Sequence, residues 1–150
     1  MEKNEIVSTL NDLIETSLDG DEGFRTSAEH AKDAQLKALF SNRAQSCATA
    51  VRELQDIVRA NGGEPADSSS MSGALHRRWV DIKSIVTGRD DEGILNEVER
   101  GEDVAVASYR KALSKDLPSE IRALIERQYQ GVVRNHDQVK QMRNQFRTQH

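Results

Sequence analysis

Apolar residues return along this chain at alternating steps of three and four, the spacing that lays one face of an α-helix against a core. From about Asn4 to Lys32 the stripe is Ile14, Ser17, Asp21, Phe24, Ala28 and Ala31, which predicts a first long helix. A second runs from about Ala34 to Asn61 on Leu36, Phe40, Ala44, Cys47, Val51, Leu54 and Val58. Asp33 is suited to cap its start and Gly62-Gly63 to end it. The stretch Glu64 to Ser70 is too polar to join a core and reads as a surface loop. Ser72 then caps a shorter helix ending at Gly88, whose narrow face of Leu75, Trp79, Ile82 and Val86 suits the outside of a bundle. A third long helix is predicted from Asp90 or Asp91 to about Lys115 on Leu95, Val98, Glu102, Ala105, Tyr109 and Ala112. Pro118 fits the first turn of a fourth, which reaches Phe146 through Leu124 or Ile125, Tyr129, Val132, His136, Val139 and Met142.

Loop lengths order these elements. Short turns near Asp33 and Asp116 make helices one and two, and helices three and four, antiparallel hairpins. The short helix between the hairpins covers ~24 Å at 1.5 Å per residue, enough with its flanks to return along the bundle. Helix three then enters at the same end as helix two. The expectation is one all-α domain over residues 1–150, a four-helix bundle with hairpins at 4–62 and 90–147 and a long crossover at 63–89 carrying the short fifth helix. An internal repeat supports it. Leu13-Ile14 followed by Gly20-Asp21-Glu22 returns as Ile94-Leu95 followed by Gly101-Glu102-Asp103, and residues 36–40 resemble residues 121–125.

Composition narrows the class. The chain has 150 residues, 36% hydrophobic and 31% charged, with two prolines and 4% aromatics, which favours helices over sheets. A formal charge of -4 with interspersed signs lacks the basic footprint of a nucleic-acid binder. Neither an apolar leader nor a run of about twenty apolar residues occurs, so membrane insertion is not expected and a cytoplasmic location is. The single cysteine, Cys47, sits on an apolar stripe and reads as a small buried hydrophobe. His30 and His76 fall on polar faces, His150 is terminal, and Trp79 reads as an anchor for the crossover helix. No phosphate loop, zinc-ligand cluster or nucleophile elbow is present.

The candidate chemistry lies in the repeated triplet. Asp21 and Glu102 fall on the inward stripes, where a carboxylate is costly unless paired or bound to metal. A shift of one residue, about 100° round the helix, would turn Glu22 and Asp103 inward instead. Gly20 and Gly101 beside them mark a close backbone approach or a local bulge.

On these residues the whole chain resembles the ferritin-like superfamily, rubrerythrin-type bundles in particular, and most of all a bacterial ferritin-like four-helix-bundle family of unassigned function. In that superfamily helices one and three each supply an inward Glu and helices two and four a Glu-x-x-His, which together hold two irons. The resemblance places Asp21 and Glu102 in the acid slots and His136 of Val133-Arg134-Asn135-His136 in a histidine slot. Ala48-Thr49-Ala50-Val51 fills the remaining motif without a ligand. Asp21, Glu102 and His136 are therefore the candidate metal ligands, with Glu22 and Asp103 as register alternatives. Two readings follow. The first is a non-catalytic bundle with a degraded di-iron site, acting through protein interaction or oligomerisation, a homodimer being the simplest form, in a bacterial stress setting. There the acids are satisfied by Tyr109, Tyr129, Gln128 or Gln130, or paired with Arg25 or Arg43. The second is an iron or manganese redox or storage protein using the reduced carboxylate and His set.

Overall fold

A computed structural model of the chain describes residues 2–67 and 91–149. They form four helices: α1, Lys3–His30; α2, Ala34–Ala60; α3, Asp91–Leu113; and α4, Ser119–Gln149. No strand occurs among the described residues. The predicted short helix, with His76 and Trp79, lies outside them, as does His150. None of the described helices is long and apolar enough to cross a membrane.

The ends form where local chemistry sets them. The Asp33 carboxylate accepts from the backbone N–H groups of Gln35 and Leu36, covering two of the orphan donors that open α2. At the other end Gly62 takes φ +78°, and its N–H reaches the Arg59 carbonyl while that of Gly63 reaches Val58. These are the paired bonds of a Schellman motif, which uses glycine because a side chain strains that backbone.

Residues 31–33 join α1 to α2 and residues 114–118 join α3 to α4, giving two antiparallel hairpins. Two side-chain contacts fix how they stack. The Asp91 carboxylate, at the start of α3, accepts from the backbone N–H groups of Lys32 and Asp33, both at 2.9 Å. At the far end Lys115 Nζ donates to Thr9 Oγ1 at 3.0 Å. Helix α3 thus runs antiparallel to α1 and enters at the same end as α2, as the connection lengths predict. The two ends joined by the inter-hairpin segment lie at opposite ends of the bundle.

The start of that segment departs from expectation. Asn11 Nδ2 donates to the Glu64 carbonyl, the Ala66 N–H donates to Asn11 Oδ1, and Gln55 Nε2 donates to the Ala66 carbonyl. Ala66 packs on the core, so residues 64–66 are tied down and not a free surface loop.

The core is divided. One apolar cluster joins Leu10, Leu13 and Ile14 of α1 to Leu54 and Val58 of α2 and to Tyr109 and Ile125. The other joins Phe24, Leu36, Phe40, Ile94, Leu95 and Val139, with the Phe24 and Phe40 rings 6.2 Å apart. Between them every helix places a polar or very small residue inward: Ser17 and Gly20, Cys47, Glu102, and Gln128 with Asn135. The candidate site is this layer.

Candidate functional site

Helix α3 carries Glu102 inward because Leu95, Val98, Tyr109 and Ala112 bury the same stripe. The residue is 2% exposed. Asn135 Nδ2 donates to Glu102 Oε2, and Glu102 Oε1 is buried without a hydrogen-bond partner. Burial pushes the Glu102 carboxyl up to about 7, against the pull of the Asn135 hydrogen bond and of Arg43 and His136, and with Asp103 adding to the rise.

The register question resolves on both elements of this hairpin. Asp103 is exposed and pairs with His136 Nε2 at 2.6 Å, and His136 Nδ1 lies 3.6 Å from Asp137. On α4 the inward residues are Ile125, Gln128, Val132, Asn135 and Val139, so His136, on the predicted stripe, sits one position off the buried one. That set also steps by three and four, and Asn135 could have been found from it. On α1, Asp21 is half-buried and pairs with Arg25 at 3.0 Å, and Glu22 is exposed. Gly20 instead faces α2, where a Cβ would stand 3.1 Å from Cys47 Sγ.

The three candidate ligands therefore end on three different partners: Asp21 on Arg25, Glu102 on Asn135, and His136 on Asp103. Among the described residues no group of three or more His, Cys, Asp or Glu side chains is placed to hold a metal ion. Val51, in the slot of the missing α2 ligand, is buried and apolar. This donor set does not fit a di-iron centre, which needs bridging carboxylates to offset the charge of two ions.

A second polar chain runs from the layer out to the surface. The Tyr109 hydroxyl donates to Gln128 Oε1 at 2.9 Å, and Gln128 Nε2 donates to Glu53 Oε1 at 3.1 Å. Arg127 closes it on Glu53 Oε2 at 2.7 Å. Burial raises the Tyr109 hydroxyl to about 12. Partial burial opposes ionisation of Glu53, but hydrogen bonds from Arg127 and Gln128 and the charge of Arg127 win and hold it below the usual range. Glu53 did not stand out in the sequence, since its partners come from a distant segment.

Helices α2 and α4 touch over only a short stretch, and a cleft of about 680 Å³ opens between them. All four helices line it, with Glu102, Cys47, Tyr109 and Gly20 inside and Arg43, Arg127 and Arg134 among its borders. Burial pushes the Cys47 thiol up to about 11, which makes it a poor nucleophile.

A family model for a domain of unknown function, DUF2383, matches residues 5–115. The chain belongs to the DUF2383 family. The match takes in α1, α2, α3 and the acids at 21, 22, 102 and 103, while Asn135 and His136 on α4 lie beyond it. No curated protein matches this DUF2383 chain.

Proposed function

We propose that this DUF2383 chain is a ferritin-like bundle without a di-iron centre, a non-catalytic binding protein whose polar layer takes a ligand without redox chemistry. Its ferritin-like character is supported by the two hairpins, the entry of α3 at the same end as α2, and the matching triplets at Gly20 and Gly101. The observation that carries the loss of the metal centre is the pairing of Glu102 with Asn135. Asn135 occupies one oxygen of Glu102, and burial disfavours the charged form that a ferritin-like acid slot uses. The other two candidate ligands are held elsewhere, Asp21 by Arg25 and His136 by Asp103. What survives in the layer is a cleft of small-molecule size, which is a binding feature.

Aerobic loading with Fe(II) followed by desalting tests this reading. The expected result is a chain without stoichiometric iron and without a carboxylate-to-iron absorption band. Two irons per chain with that band would overturn it.

A further inference from the structure

The cleft between α2 and α4 has a charge pattern that packing leaves unused. Arg43 lies with its guanidinium 6.0 Å from the centre of the Phe24 ring, and its Nε is buried without a hydrogen-bond partner. Among the described residues it makes no ion pair. Glu102 Oε1 is likewise buried and unpartnered, and both residues border the cleft. Two such atoms at one cavity are costly unless a ligand or water completes them. Of the other charges there, Arg127 is neutralised by Glu53, while Arg134 is exposed at the mouth. The balance is a small excess of positive charge, suited to a singly charged anion. Phe24, Ala105 and Val132 supply an apolar wall.

We propose that this cleft binds a monocarboxylate with an apolar chain, the carboxylate on the Arg43 guanidinium and the chain against Phe24, Ala105 and Val132. The inference rests on reading the polar layer as a metal-free binding site. A guanidinium edge presents two parallel N–H donors that match a carboxylate, and the Phe24 ring face, 6.0 Å from the Arg43 guanidinium carbon, attracts the cation. A doubly charged phosphate would bring more charge than Arg43 offsets and would leave the apolar wall uncovered. A cation could meet only the single unpartnered oxygen of Glu102 and would be repelled by Arg43 and Arg134. The volume lies within the roughly 300–1,000 Å³ of small-molecule sites.

The test is calorimetric titration of the full metal-free chain with sodium decanoate, against decylamine and inorganic phosphate. One decanoate per chain is expected, with both controls at least tenfold weaker. Arg43→Gln is expected to weaken decanoate binding by roughly tenfold to a hundredfold, the loss for a charged hydrogen-bonded pair. Amide spectra of the wild-type chain supply a readout that does not depend on how the variant folds. Decanoate should move the signals of Gly20, Gly101 and Gly131, which line the cleft, and leave those of Gly62 and Gly63 in place. Absence of binding below the micelle-forming concentration, uptake of several molecules without those shifts, or equal affinity in Arg43→Gln would each overturn the proposal. Failure of decanoate in a chain that also takes up no iron overturns only this inference; stoichiometric iron overturns the reading beneath it.

Discussion

Glu102 and Asn135 meet inside the bundle, and the pair one residue further round on each helix, Asp103 and His136, meets outside it. Burial separates the two contacts: the inner acid is desolvated, and the outer acid is solvated and exposed. The inner one sets a pH dependence of stability. The Glu102 carboxyl is raised in the folded chain from 4.5 to about 7, so between those values the folded state binds the extra proton. Stability from this group is therefore full below about 4.5 and is lost as pH rises towards 7, a change on the order of 3 kcal/mol. Glu102→Gln, which never ionises, should lose that slope. Its melting temperature relative to wild type is expected to climb between pH 5 and pH 8, and parallel curves would show that Glu102 does not titrate in this window.

The C-cap of α2 yields a prediction with an internal control. Gly62→Ala strains a positive-φ residue at a cost of roughly 1–2 kcal/mol. Gly63→Ala acts through space, because its Cβ would fall 2.7 Å from both methyls of Val7, and overpacking of this kind costs roughly 1–3 kcal/mol. Val7→Ala should therefore recover much of the Gly63→Ala loss and none of the Gly62→Ala loss. Denaturant unfolding of the three single variants and the two doubles measures this, and equal recovery in both backgrounds would refute the distinction.

Most of the architecture was legible before any coordinates. Every residue of the α2 stripe from Leu36 to Val58 is buried as its spacing predicts, because that helix offers one apolar face and no competing one. Helix α4 is polar enough that two adjacent stripes satisfy the same rhythm, and the structure buries the one through Asn135, which leaves His136 off the core. On α1 the periodicity ran through Asp21, whereas Gly20 faces the interior and Asp21 finds Arg25. The bonds from Asn11 to Glu64 and Ala66 left no trace in the sequence, since they join a helix side chain to loop backbone far along the chain.

Gly20 and Cys47 form a packing pair across α1 and α2. An alanine at position 20 gains about 1 kcal/mol of helix propensity and must push a sulfur 3.1 Å away. In the wild-type chain these oppose each other, and no net stabilisation is expected. With Cys47→Ala the sulfur is gone, and Gly20→Ala should then stabilise by about the full propensity gain of 1 kcal/mol. Thermal melts of the four combinations decide it, and a Gly20→Ala effect identical in both backgrounds would sink the pairing.

The same sulfur predicts a chemical outcome. The Cys47 thiol is buried and raised to about 11, so at pH 8 little thiolate exists and access is blocked. Labelling by a thiol-reactive chromophore should be slow in the folded chain and immediate in denaturant. Rapid stoichiometric labelling of the native chain would show a cleft open enough to expose it.

Asp91 holds the second hairpin to the turn of the first, and its two oxygens act on different amides. Oδ1 accepts from Lys32 and Oδ2 from Asp33, so both bonds depend on one carboxylate fixed at the start of α3. Asp91→Ala removes both acceptors, at a cost of roughly 2 kcal/mol given that water reaches part of this turn. Asp91→Asn keeps one acceptor and should lose about half as much. Hydrogen exchange distinguishes a local clamp from a general weakening. In Asp91→Ala the Lys32 and Asp33 amides should exchange faster, with Asp91→Asn sparing one of them, while the Leu117 amide, bonded to the Lys115 carbonyl at the opposite end, keeps its rate. If Leu117 loosens in step with Lys32, the two hairpins unfold as one unit, and Asp91 contributes to global stability without a separate role in seating α3 beside α1.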